Sequence, residues 1–180
     1  TPLPASWEPL VLALLARGFA DSRAVIVKPT SVVTTLADRL LPATGRACLL
    51  WVDLHTWLAT MLRDRHLIEG VLSTEPLRLA QQRPLPPAET DGARLARAWL
   101  VEQLRWLGLT ADPALAGRLT DLDFAEVLRD PAPAVARLAA HYGLHVPEDW
   151  AQRIKASELL SRYAKDGEAH FDANARRRGL

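Results

Sequence analysis

Two short apolar runs with β-branched residues constrain this chain most. Ala24-Val25-Ile26-Val27 and Ala47-Cys48-Leu49-Leu50-Trp51-Val52 are each bounded by polar or turn residues. Runs this short, apolar on both faces, read as strands of a buried parallel sheet. A helical pattern follows each. Val32, Leu36 and Leu40 recur at helical spacing between about Thr30 and Leu41. Trp57, Leu58, Met61, Leu62 and Leu67 lie within a predicted helix from Leu54 to Glu69. Another helix is expected before the first run, over Trp7–Ala16. Alternation of strand and helix with short connections predicts βαβ units and an α/β fold.

Downstream, the pattern weakens between Ser73 and Asp91, where Pro76, Pro84, Pro86 and Pro87 predict a loop or a broken helix. A helix is expected from Ala93 to Leu107. A third strand is expected over Arg118–Phe124, followed by a short helix capped by Asp123 and running to Arg129. Pro131 at a helix start and Gly143 at its end bracket another helix. One more short helix is expected from Pro147 through Trp150. The basic segment Asn174–Leu180 reads as a frayed tail. Residues 1–180 read as a single helix-rich domain that ends in this tail.

Composition narrows the function classes. Nearly half the residues are hydrophobic and 24% are charged, so most of the chain is expected to fold. Net charge is +1, which argues against a nucleic-acid surface or an anionic membrane as partner. Cys48 stands alone, which excludes an intrachain disulfide framework and any multi-cysteine zinc site and suits a reducing, cytoplasmic compartment. No apolar run reaches the length of a bilayer span. His141 and His145 are four apart, but Gly143 and Pro147 interrupt the helix a metal pair needs, so no metal site is expected. No phosphate loop, dinucleotide fingerprint, nucleophile elbow or His-Glu-x-x-His occurs. Asp121-Leu-Asp123 can be read as a glycosyltransferase Asp-x-Asp or as a strand end followed by a helix cap.

Open α/β sheets bind ligands beyond the carboxyl ends of their strands. That rule singles out Lys28-Pro29-Thr30-Ser31 and Asp53-Leu54-His55-Thr56. Thr30 or Ser31 can cap a helix or meet an anion at its N-terminus. His55 can take a proton from a hydroxyl if its ring faces the cleft. Trp51, Trp57, Trp99 and Trp106 can pack in the core or floor a pocket.

Three patches, in order, resemble the bacterial sulfotransferase-like proteins of the P-loop superfamily. Val27-Lys28-Pro29-Thr30-Ser31 resembles the family's strand and Lys-Pro-Thr turn, with Leu58-Ala59-Thr60 where the family has Leu-Ala-Ser after its second strand. Leu122 to Pro131, then Leu138 to Leu144, resemble its aspartate–aromatic–leucine, Asp-Pro and Gly-Leu stretch. Arg162-Tyr163-Ala164-Lys165 is similar to its Tyr-Ser-Lys turn. The resemblance implies a three-layer P-loop-like domain lacking a βα unit before Trp7. It implies sulfuryl transfer from 3′-phosphoadenosine 5′-phosphosulfate (PAPS) to a hydroxyl on a small molecule or glycan.

Under that reading Lys28 is the catalytic cation and His55 the base. Thr30, Ser31 and Thr60 would contact the cofactor's anionic groups, and Arg176 would close over a phosphate. The departures are specific. Val52 stands where the family's 3′-phosphate arginine falls, and Ser31 where many members carry a histidine base. They give the alternative: a degenerate, non-catalytic sulfotransferase-like protein used for binding or assembly.

Overall fold

The computed structural model describes residues 8–15, 17–18, 24–29, 31–80, 85–157, 162–163 and 166–170. Residues 8, 15, 31, 35, 162–163 and 166–170 are described by their backbone alone. The chain is helix-rich, with a small parallel sheet. Helix α1 spans Glu8–Leu15. A 3-10 helix over Ser31–Leu36 runs into α2, Ala37–Leu40. Strand β1, Ala47–Trp51, comes after a tight turn at Pro42–Gly45. A Cβ on Gly45 would meet the Pro42 ring at 2.8 Å, so the turn requires glycine there.

After β1 come α3 (Leu54–Met61), α4 (Arg65–Ser73), α5 (Glu75–Leu79) and the long α6 (Asp91–Thr110). A 3-10 turn, Pro113–Leu115, leads to β2, Leu119–Asp123, then α7 (Phe124–Arg129), α8 (Pro131–Tyr142) and α9 (Trp150–Ala156). The pair β3 (Arg162–Tyr163) and β4 (Asp166–His170) is antiparallel.

β1 and β2 pair in parallel, with Ala47 opposite Leu119 and Trp51 opposite Asp123. Side chains alternate across a strand. The odd residues Ala47 and Leu49 pack with Leu119 against Trp106, Leu109 and Leu115, which places the carboxyl half of α6 on one face. On the other, Cys48 meets Tyr142 at the end of α8. Arg137 of α8 donates to the Asp121 carbonyl at 2.7 Å, and the His141 ring meets the Ala47 carbonyl at 3.1 Å. α6 supplies half of the buried hydrophobic residues among those described: Leu95, Ala98, Val101, Trp106 and Leu109. Among the described residues, no helix is long and apolar enough to cross a membrane.

Three expectations need correction. Ala24–Val27 is not a strand: it is irregular and exposed, with Ile26 71% accessible. A strand exists only through its ladder; the run is four residues long, Pro29 removes a donor at its end, and β1 is paired with β2. The helix expected over 54–69 is two helices. The Asp64 carboxylate accepts from the His66 amide at 2.8 Å and starts a new helix there. The expected helix from Pro147 begins instead at Trp150. The Pro-rich stretch expected as loop or broken helix contains α5, opened by Pro76 near its first position. The tail 174–180 lies outside the described residues.

Candidate functional site

Both parallel strands leave the sheet in the same way. β1 runs through Val52 to Asp53, whose extended backbone turns the chain and whose carboxylate accepts from the Thr56 amide at 2.9 Å. β2 ends on Asp123, whose carboxylate accepts from the Ala125 amide at 2.8 Å. Each aspartate satisfies one of the orphan N–H groups at its helix start. The cap reading of Asp123 therefore accounts for the Asp121-Leu-Asp123 sequence without a nucleotide. Asp121 itself accepts from the Trp51 indole at 3.1 Å across the strand pair.

The exit of β1 is pinned from α6: the Trp99 indole donates to the Val52 carbonyl at 3.0 Å. Thr60, on α3, donates back to the Thr56 carbonyl at 2.9 Å and is partly buried. His55 is exposed at the start of the same helix. Desolvation raises the Asp53 carboxyl, but the Thr56 hydrogen bonds and the His55 charge outweigh it and hold the pKa below the ordinary value. Asp53 is a carboxylate at neutral pH.

This edge does not by itself suit a phosphosulfate. Such a ligand needs cationic donors and free N–H groups. The described residues here contribute the carboxylates Asp53 and Asp123, with Asp121 behind them, and each cap takes one N–H of its helix start.

The sequence-selected residues that fall among the described ones are not gathered in one place. Val27 and Pro29, on either side of Lys28, line a cleft with Ala47 and Cys48, at the amino-terminal half of β1; Lys28 is exposed. His55 opens α3 at the carboxyl end. Thr30, the Ser31 side chain and Arg176 lie outside the described residues. Among the tryptophans, Trp106 is core, while Trp51 and Trp99 serve as hydrogen-bond struts. The Cys48 thiol is half-buried, and desolvation with the Asp121 charge pushes its pKa up to about 11, so it is a neutral thiol and a poor nucleophile at pH 7.

Sequence reading missed a buried ionic cluster between α5 and α6. Glu75, Arg78 and Glu102 are each under 10% exposed. Glu75 accepts from Arg94 at 2.6 and 2.9 Å and from Arg97 at 2.5 Å. Arg78 pairs with Glu102 and donates to the Thr74 hydroxyl at 3.0 Å. Burial alone raises the Glu75 carboxyl; the two arginines more than offset this and keep it below its ordinary value. A signal was present: Leu95, Glu102 and Leu109 stand seven apart along one helical line, with the charge between two core leucines.

No protein-family model, curated protein or solved structure matches this chain.

Proposed function

We propose that this chain is a sulfotransferase-like α/β protein, and that the described residues serve binding or assembly rather than group transfer. One observation supports the kinship. In the first patch β1 lies between the Lys-Pro-Thr turn and Leu58-Ala59-Thr60, and the second patch begins on the last two residues of β2; the two strands pair side by side in parallel, each leaving through an Asp-capped helix. The non-catalytic reading draws on the carboxyl edge: Val52 replaces a cation there, and Asp53 and Asp123 make it acidic.

The transfer reading is the second. It has one observation in its favour, the Thr60 hydroxyl on the helix after β1, where the resemblance expects a 3′-phosphate contact. It requires cations from residues beyond this edge, and its acceptor would be a hydroxyl on a small molecule or glycan.

Calorimetric titration with 3′-phosphoadenosine 5′-phosphate separates the two, with any sequence flanking these 180 residues retained. The non-catalytic reading expects no saturable heat at millimolar ligand. Saturable micromolar binding that weakens about tenfold in Thr60→Ala, the loss of one hydrogen bond to a charged group, would overturn it in favour of sulfuryl transfer.

A further inference from the structure

The geometry points to a binding site for an aliphatic carboxylate of medium chain length in the cleft beside the amino-terminal half of β1. The cleft measures about 720 Å³, within the usual range of small-molecule sites. Its lining includes Val25, Ile26 and Val27, residues that are 43%, 71% and 44% exposed. Val33, Leu40, Leu41, Ala47 and Cys48 also line it. This is apolar surface that a hydrocarbon chain would take out of water.

Charge selects the head group. Among the described residues, the lining carries no Asp or Glu and one cationic residue, Arg46. Arg46 is exposed and uses one of its five N–H donors on the His141 carbonyl. Cys48 and Tyr142, the other ionisable lining groups, are both held neutral by burial. Asp121 and Arg137, which act on Cys48 from outside the lining, oppose one another. Among the described lining residues an anionic head therefore finds a partner at Arg46, a cationic head finds none, and the tail finds mostly apolar surface. The site lies at the opposite end of β1 from Asp53 and does not depend on either reading of that edge.

The test is calorimetry with decanoate, well below its micelle-forming concentration, on the full chain. The expected result is one saturable site per chain, about fifteenfold tighter than for octanoate because two methylenes are added. Arg46→Gln should weaken decanoate about tenfold and leave decanol unchanged, while Arg46→Lys keeps most of the affinity. Decanoate should also slow alkylation of Cys48, the chain's single cysteine. Four results would each overturn the site: no saturable binding; equal affinity for decyltrimethylammonium; no effect of Arg46→Gln; or unprotected Cys48. Because the nucleotide and decanoate titrations are independent, either can fail alone.

Discussion

Arg78 and Glu102 face each other with 5% and 9% of their side-chain surfaces exposed. At that burial, attraction between the charges and the cost of removing both from water nearly cancel, so the intact pair adds little net stability. Removing one partner is different, because the remaining charge stays in low dielectric with its desolvation uncompensated. Glu102→Leu is therefore expected to lose about 3 kcal/mol in urea unfolding. Adding Arg78→Met should restore most of that, since the orphaned charge is gone and the volume is kept. A double variant as unstable as the single would mean that the helix contact, not the charge pairing, carries the loss. Glu75 is built differently. It holds two arginines, of which Arg94 is a third exposed, so solvent relieves part of any imbalance there.

At the scale of elements, what was readable depended on whether the signal was local. α8 is the clearest case. Pro131 starts it, the Asp130 carboxylate accepts from the Ala132 amide at 3.2 Å, and Gly143 ends it in the left-handed region at φ 67°. Each of these acts within one turn, so the residues alone disclose both ends. β1 and β2 were legible for a related reason: β1 is a short apolar run and β2 a short segment around Leu119 and Leu122, and each is closed by an aspartate that caps the next helix. Ala24–Val27 has the same composition and is not a strand, because pairing is decided by a partner the run cannot specify. The ionic cluster was hidden in the same way, since Glu75 and Arg94 meet only after α5 and α6 pack. Of the candidate site, the Asp53 turn was legible; the separation of Lys28 from His55 was not. The end of α8 carries a local prediction. Gly143→Ala must place a Cβ in the left-handed region, at a cost of about 1 kcal/mol by thermal or urea unfolding. Nothing lies within 4 Å of that Cβ, so the loss is conformational, and Gly143→Asn should recover part of it. Equal stability of Ala and glycine at 143 would show that the helix end relaxes.

Across the whole molecule, α6 is the element on which the others converge: α3, α4, α5, the 3-10 helix at 31–36 and β2 all touch it. β1 is joined to it twice, by the Trp99 bond to Val52 and by the packing of Ala47 and Leu49 on the Trp106 cluster. The parallel pair has only two strands, too few to be stable without a covering helix. The sheet and the helical crossover should therefore stand or fall together on α6. Leu95 tests this, being fully buried near the amino end of α6, away from the strands. Leu95→Ala is expected to cost about 3 kcal/mol through lost burial and the cavity left behind. The informative readout is where that loss is felt. If the molecule is one cooperative unit, amide exchange at Cys48, Leu49 and Thr120 should accelerate by the same factor as exchange in α4 and α5. Val101→Ala, also fully buried but a smaller truncation, should produce the same pattern at lower amplitude, which guards against a Leu95 variant that fails to fold. Strand amides that keep their protection while α4 and α5 lose theirs would divide the chain into two independently stable parts. The candidate edge at Asp53 would then owe its geometry to the strands and α8 alone, and the Trp99 strut would be a contact without a structural role.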